Sequence, residues 1–550
     1  MLSRNTLTTN PTPWVVLAFA LFWFIGLGFV DLVEPDEGRY AEIPREMVST
    51  GDWLIPRLNG FKYFEKPPLQ YWLTAMGYEL FGTNNASARL VVAVLGFLGA
   101  LWTGFVGWRL FGRETGWFAF LVSLNSLLYF TMGHLLTLDM SVSFFMSLGM
   151  GALFLAQTQR SKPNLVRNWM LFGWAALALA VLVKGLMGVA LPAMAVVFYT
   201  LWSRDWALWR HLHIGKGLLL FLAITAPWFI AVSLKDPEFL RFFFIHEHLE
   251  RFLTTTHSRE GAWWYFIPIL LVGGLPWIWR IVQVVVKPAF QFNKFNQRGF
   301  SPLHFLWLYV VGIFVFFSVS HSKLPPYILP IMPALALLVG RQLSRVQTIR
   351  GELVSLGLWL LVLLGAIYHV PRVTDGVEPA AMLAYRNWLI VAAAICATGL
   401  LLVYLLRHRH LPAITMAGFS ALLSFQVAWW GFQTQTPFRS SHEMAKAITP
   451  HLKPGSEIYS VGYYPQSLPF YLNRTIHLVM DKGELAMGIR LEPERYIPDA
   501  SSFVQRWQSE QHPIAVFTTA FFDKRFRPHH KELAMQEIYR DVLRVVVAKP

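Results

Sequence analysis

Runs of about twenty apolar residues recur along most of this chain, each long enough to cross a bilayer at roughly 1.5 Å of rise per residue. Thirteen such stretches are expected to form spans, near 14–32, 88–108, 117–133, 140–157, 169–183, 186–202, 217–234, 263–285, 302–319, 327–344, 353–371, 388–406 and 412–431. Between them, two polar loops (33–87 and 235–262) and a polar tail interrupt the pattern. Within the first loop Ala41–Val48 has the composition of a short helix. Leu69–Phe81 (LQYWLTAMGYELF) is apolar but too short to span, which predicts a helix lying in the membrane interface. Beyond Gln433 the apolar runs shorten to strand length at Ile458–Tyr464, Phe470–Met480, Ile514–Thr519 and Leu543–Ala548. Helices are expected at Ser441–His451 and Ser501–Ser509. The pattern divides the chain into a membrane domain, 1–433, and a small α/β domain, 434–550.

Composition agrees with a polytopic α-helical membrane protein. Of 550 residues 55% are hydrophobic and 14% charged, with a mean hydropathy of +0.43. Soluble domains carry about 25% charged residues. The net charge of +15 has a topological explanation and gives no reason to invoke nucleic acid. With the N-terminus in the cytoplasm, six alternate loops place their basic residues inside: Arg109/Arg113, Arg160/Lys162/Arg167, Arg204/Arg210/Lys216, Lys287/Lys294/Arg298, Arg341/Arg345/Arg350 and Arg407/Arg409. An odd number of crossings then puts the C-terminal domain outside. The first span lacks a small-residue cleavage site and reads as a retained anchor. Cys396 is the single cysteine, so no intramolecular disulfide can form.

The charges that this topology leaves unexplained gather on the outer face. Glu34, Asp36, Glu37 and Arg39 fall within six residues just past the first span, and Tyr63, Glu65 and Lys66 follow before Pro67-Pro68. Paired carboxylates at a membrane rim can accept hydrogen bonds from a sugar, bind a cation or act as a base, or simply mark a helix end. Lys66 is a point-charge partner for phosphate, or a snorkelling lysine. Asp139, Lys184 and Tyr327 occupy outer turns between spans, and His246 and Arg251 lie in the second outer loop. Basic groups at headgroup depth fit a phosphate ligand. Glu65, His246 and His248 are candidate ligands for a divalent cation such as Zn²⁺, although an i,i+2 pair of histidines does not share a helical face. No Walker, GxGxxG or Ser-His-Asp pattern appears with usable context.

The run Asp36-Glu-Gly-Arg-Tyr-Ala-Glu-Ile-Pro-Arg-Glu-Met47, with Gly51-Asp-Trp53, Pro56-Arg-Leu-Asn-Gly60 and Tyr63-Phe-Glu-Lys-Pro-Pro68, closely resembles the first outer loop of bacterial aminoarabinose transferases. These are lipid-phosphate-dependent integral membrane glycosyltransferases of the GT-C type, similar also to protein O-mannosyltransferases. The resemblance is dense over residues 30–90. It implies a donor of undecaprenyl phosphate carrying 4-amino-4-deoxy-L-arabinose and, as acceptor, a lipid A phosphate at the periplasmic face of the bacterial inner membrane. The expected outcome is resistance to polymyxin and other cationic peptides. It implies an essential acid at Asp36 and donor-phosphate contacts from Lys66 and Arg251; their positions beside these add Glu37 to the expected catalytic residues, and Arg39, Tyr63, Glu65, Asp139, Lys184 and Tyr327 to the expected substrate contacts. A transferase acting on protein hydroxyls or another glycan is the alternative. A transporter is disfavoured because the charges gather at one face and no internal repeat is visible.

Overall fold

The computed structural model describes residues 13–243, 261–287, 299–373 and 377–550. His246, His248 and Arg251 lie outside the described residues.

Nine described helices are long and apolar enough to cross a membrane: Asn85–Phe111, Asp139–Gln157, Pro163–Lys184, Ile214–Lys235, Pro302–Val319, Pro325–Leu343, Arg350–Arg372, Pro379–Leu405 and His410–Arg439. The pair Arg113–Leu124 and Leu127–His134, bent by 61°, has the length and apolar content of a tenth, as a broken span or a re-entrant loop. The other three expected spans take a different form. The described part of the first, α1 (Pro13–Phe24), gives way to turns from Ile25. Met187–Ser203 has only 17 residues. The stretch 263–285 is divided into Phe266–Gly273 and Ile278–Val286 around Gly274 and Pro276. In the first and last of these, glycine and proline end the helical hydrogen bonding early, whereas Met187–Ser203 keeps the expected length and runs through Pro192.

Burial separates the central helices from the peripheral ones. The apolar window of Asp139–Gln157 is 89% buried, whereas those of Ile214–Lys235 and Arg350–Arg372 are 22% buried. The central helix therefore faces protein on nearly all sides and starts at Asp139. Lipid is the natural neighbour of the peripheral faces, where Leu219, Leu234 and Leu361 are exposed.

The first polar loop is compact structure. Helix α2 (Asp36–Thr50) begins five residues before the expected Ala41, with both Asp36 and Glu37 in its first turn. Their charge there complements the unpaired amides of the helix start. The helix ends at Gly51, whose φ of 72° makes a left-handed cap. A two-residue turn at Asn59-Gly60, with φ of 53° and 80°, joins β1 (Arg57–Leu58) to β2 (Phe61–Lys62) in antiparallel register. Positive φ at both positions is what such a hairpin turn requires. Helix α3 (Leu69–Phe81) follows the double proline with the predicted bounds. It buries Gln70, Tyr71, Thr74 and Tyr78 while exposing Met76, Leu80 and Phe81, as a helix at an interface should.

Six strands form the C-terminal sheet in the order β5-β4-β3-β6-β8-β7. Strands β3 (Ile458–Val461), β4 (His477–Val479), β5 (Tyr496–Ile497) and β6 (Ile514–Thr518) are parallel; β8 (Arg544–Ala548) runs antiparallel to β6 and to β7 (Gln536–Arg540). Strand β4 is much shorter than the expected 470–480. Phe470 and Tyr471 belong to a helix, Leu468–Leu472, opened by Pro469 and ended by Asn473 at φ 53°. The polar edge strand β7 and two-residue β5 gave no apolar alternation to read. Phe503, Trp507, Phe517, Phe522 and Val545 form the core on one face.

This sheet domain docks directly on the first loop. Asp31 Oδ1 accepts from His442 Nδ1 at 2.8 Å and its Oδ2 accepts from Gln433 Nε2 at 2.9 Å. Glu34 accepts the Ser467 backbone N–H at 3.0 Å and the Ser467 hydroxyl at 2.6 Å. Gly38 lies so close that a Cβ there would meet the Gln466–Ser467 backbone at 2.6 Å. Glycine is needed for that approach.

Candidate active site

Helix α2 places Asp36 and Arg39 one turn apart, and Arg39 is the hub of the site. Its guanidinium pairs with Asp36 on its own helix and with Glu484 from the C-terminal domain. It also donates to the Tyr63 hydroxyl at 3.4 Å. Its carbon lies 4.9 Å from the centroid of Tyr40, whose ring stacks on Tyr71 at 6.3 Å. Glu484 is itself held by Gln466. Burial opposes the charge on Arg39, but Tyr63, Tyr40, Asp36 and Glu65 outweigh it and raise its pKa well above the usual value. The cation is therefore permanent. Burial, with contributions from Glu65, Tyr40 and Tyr71, pushes the Tyr63 hydroxyl far up despite Arg39, so it remains a donor.

A second group faces the first from the start of the central helix, Asp139–Gln157. Lys184 donates to Asp139 and lies 5.4 Å from the centroid of Tyr327. The two groups are electrostatically joined at Tyr40. Burial is the main cause of its raised pKa, Arg39 opposes the shift, and Asp36, Glu65 and Asp139 all add to it. Lys66 donates to the carbonyl of Glu65 at 2.9 Å and stands 4.0 Å from that residue's carboxylate. Asp36, Arg39, Tyr63, Glu65, Lys66, Asp139, Lys184 and Tyr327 thus gather where the first loop meets the ends of the central helices. Arg251 and His246 lie outside the described residues. Among the described residues no three His, Cys, Asp or Glu side chains come together to hold a metal. Glu65 therefore has no described partners for the expected cation site.

Glu37 is placed elsewhere. Its carboxylate forms a two-pronged pair with Arg89 at 2.6 and 2.7 Å, with both side chains 0% exposed. Its oxygens also accept the backbone N–H groups of Val33 at 2.9 Å and Leu136 at 2.8 Å. Arg89 further donates to the carbonyls of Leu27, Val30 and Asp31. With every acceptor position filled and no exposed surface, Glu37 pins α2 against the membrane helices. This enclosure suits a positioning group, and the catalytic role expected of Glu37 has no open face in this arrangement.

Glu484 was not among the sequence-based candidates. It is 445 residues from Arg39, in a polar segment where nothing local distinguishes one acid from another. Only the docking of the two domains reveals it.

Cations, acids and stacked tyrosines held together in this way are suited to an anionic headgroup attached to a polyol. A crystal structure of ArnT from Cupriavidus metallidurans bound to undecaprenyl phosphate superposes on this chain with a TM-score of 0.90. Identity is 36%, and 98% of each chain is covered. The chain belongs to the aminoarabinose transferase family. The aminoarabinose transferase C-terminal domain matches residues 444–549. The dolichyl-phosphate-mannose-protein mannosyltransferase family matches residues 12–292, just over half of the chain. Among curated aminoarabinose transferases, the undecaprenyl phosphate-alpha-4-amino-4-deoxy-L-arabinose arabinosyl transferase of Shewanella sediminis is 28% identical over 512 residues, 88% of each chain. The Pseudomonas aeruginosa (strain LESB58) protein of the same name is 34% identical over 366 residues, covering 64% of each. An oligosaccharyltransferase from Archaeoglobus fulgidus shares the fold, with a TM-score of 0.50 at 11% identity, covering 95% of this chain and 70% of that one. Membership of the aminoarabinose transferases establishes a multi-pass membrane glycosyltransferase using a lipid-linked sugar.

Proposed function

We propose that this chain moves 4-amino-4-deoxy-L-arabinose from undecaprenyl phosphate to a phosphate group of lipid A. The observation that carries this reading is the joint placement of Arg39, Lys66 and Lys184 with Asp36, Glu65 and Asp139 at one end of the membrane helices. The undecaprenyl phosphate bound to the Cupriavidus metallidurans ArnT, which is 36% identical to this chain, supports it. The six basic loops support a cytoplasmic N-terminus and a periplasmic site, in the inner membrane. Less negative lipid A would bind polymyxin and other cationic peptides less well, giving resistance.

Lys66, with Arg251 from the second loop, holds the donor phosphate and stabilises the charge that develops on it as it leaves. A lipid A phosphate is already ionised near neutral pH and needs no strong base. One of its oxygens attacks the anomeric carbon, the bond from that carbon to the donor phosphate oxygen breaks, and undecaprenyl phosphate departs with the electron pair. In-line attack inverts the anomeric centre. Asp36 steers the sugar or its ammonium, Asp139 and Lys184 bound the sugar site, and Tyr63 and Tyr327 supply hydroxyl and ring contacts.

Mass spectrometry of lipid A tests this directly. Cells expressing the chain should gain a pentosamine increment that is missing without it. Because the mannosyltransferase match names protein acceptors, unchanged lipid A beside glycosylated protein would favour that second reading.

A further inference from the structure

Helix α2 carries a second, fully enclosed pair of acids that the transfer reaction does not use. Arg45 commits two of its N–H groups to Glu42, at 2.6 Å to each oxygen, and reaches Asn473 of the C-terminal domain at 3.3 Å. One cation is thus spent on one carboxylate. Glu46, a helical turn further on, is 3% exposed and lies against the Glu42 carboxyl. Its Oε2 accepts the Gly60 N–H at 2.9 Å, while Oε1 is buried without a hydrogen-bond donor among the described residues. Two acceptor oxygens facing each other in a buried site need a proton between them. Charge counting agrees: Glu42, Arg45 and Glu46 are neutral as a set only if one carboxyl is protonated.

Among the described residues no further cation contacts Glu46. From α3, Tyr78 donates to the Ala41 carbonyl at 3.1 Å. From the C-terminal domain, Tyr464 presents a buried hydroxyl with no hydrogen-bond partner among the described residues. Arg495 packs against Gly60, where a Cβ would meet its Nη1 at 2.7 Å. Gly60 sits in the hairpin turn that Asn59 ties to Ile476 through two hydrogen bonds of 2.8 Å. Three residues later the same segment delivers Tyr63, and then Glu65 and Lys66.

We infer that Glu46 is a positioning residue that works as a neutral carboxylic acid, bridging Glu42 on its own helix to the Gly60 backbone and so fixing the segment that carries Tyr63, Glu65 and Lys66. Burial, reinforced by the neighbouring Glu42 charge, raises its pKa to about 8 despite Arg45 and the Gly60 N–H. Loss of that proton leaves two carboxylates beside one guanidinium, and their repulsion drives Glu46 away from Glu42 and takes the hairpin turn with it. The segment that grips the donor phosphate is therefore ordered at neutral pH and loosened in alkali.

The transfer assay for this inference rests on the proposed reaction, so a spectroscopic arm stands beside it. Purified wild type, Glu46→Gln and Glu46→Ala are assayed for transfer from the lipid-linked donor to lipid A across pH. Wild-type turnover should fall with a midpoint near pH 8. Glu46→Gln should stay within about threefold of wild type at neutral pH and lack that alkaline limb, because an amide keeps both hydrogen bonds without a titrating proton. Glu46→Ala should lose roughly tenfold or more at every pH. In the infrared, wild type should show a protonated-carboxyl C=O band that disappears over the same pH range and is missing from Glu46→Gln. An alkaline limb shared by wild type and Glu46→Gln, or a Gln variant as inactive as Ala, overturns the inference. So does a wild type without the titrating band. A wild type that shows the band but transfers no sugar instead overturns the proposed reaction.

Discussion

Replacing Glu37 by Gln separates positioning from catalysis within an acidic pair that sequence alone treats as equivalent. The change keeps side-chain shape but removes a charge buried beside Arg89, with both groups 0% exposed. A carboxylate accepts all four of the hydrogen bonds directed at it, from Arg89 twice, Val33 and Leu136. An amide presents one oxygen, and its NH₂ group then faces donors. The Arg89 charge remains buried and unneutralised, held only by the carbonyls of Leu27, Val30 and Asp31. Breaking one side of such a pair costs about 3–5 kcal/mol. That is a large part of the roughly 5–15 kcal/mol that separates folded from unfolded states in ordinary domains. The assay is thermal unfolding of the solubilised chain by tryptophan fluorescence, with transfer measured well below the transition. Glu37→Gln should melt markedly earlier, and its remaining folded fraction should still transfer sugar. A double-mutant cycle with Arg89→Met should give a coupling of at least about 1 kcal/mol. A variant that melts like wild type yet transfers nothing would return Glu37 to the chemistry.

Three further outcomes follow from the site. Asp36→Asn should abolish transfer while leaving the melting transition within a degree or two of wild type, since Asp36 is half exposed and its pair with Arg39 contributes about 0–1 kcal/mol; steady-state transfer and melting check it together. Glu484→Gln should lower kcat/KM for the donor roughly tenfold, about 1.4 kcal/mol, because Arg39 loses the anion that holds it from the C-terminal side. Glu46→Gln should gain stability over wild type as pH rises. A carboxyl whose folded pKa is about 8, against an ordinary 4.5, makes the folded state hold the extra proton between those values. Wild-type stability then falls by up to about 1.4 kcal/mol for each pH unit in that window and levels off above it. Denaturation at pH 5, 7 and 9 reads the difference directly.

Much of the architecture was legible because its signals are local. The interfacial helix Leu69–Phe81 follows from a short apolar run after two prolines, β3 and β6 begin where the strand-length apolar runs do, and β8 begins one residue later. Bounds failed where a backbone signal outweighed apolar content: Pro469 and Asn473 turn part of an expected strand into a helix. Charges hid the start of α2, since Asp36 and Glu37 look like loop residues until their place in the first helical turn is known. The site divided along similar lines. Asp36, Arg39, Tyr63, Glu65 and Lys66 come from one contiguous motif, and Asp139 and Lys184 from charges stranded at span ends. Which acid is enclosed and which faces the cluster depends on Arg89 and Leu136, which are 52 and 99 residues from Glu37. The Glu484 contact depends on two domains meeting. Neither distance leaves a mark in local sequence.

In the proposed reaction Lys66 grips the donor phosphate while Asp36 acts on the sugar. Undecaprenyl phosphate binding to the purified chain tests it most directly, comparing wild type with Lys66→Ala and Asp36→Asn. Lys66→Ala should weaken binding by roughly tenfold or more, the loss of a charge-assisted contact worth about 1.5–3 kcal/mol. Asp36→Asn should bind the lipid phosphate at least as well as wild type and still transfer no sugar. Equal affinity for wild type and Lys66→Ala would contradict the account.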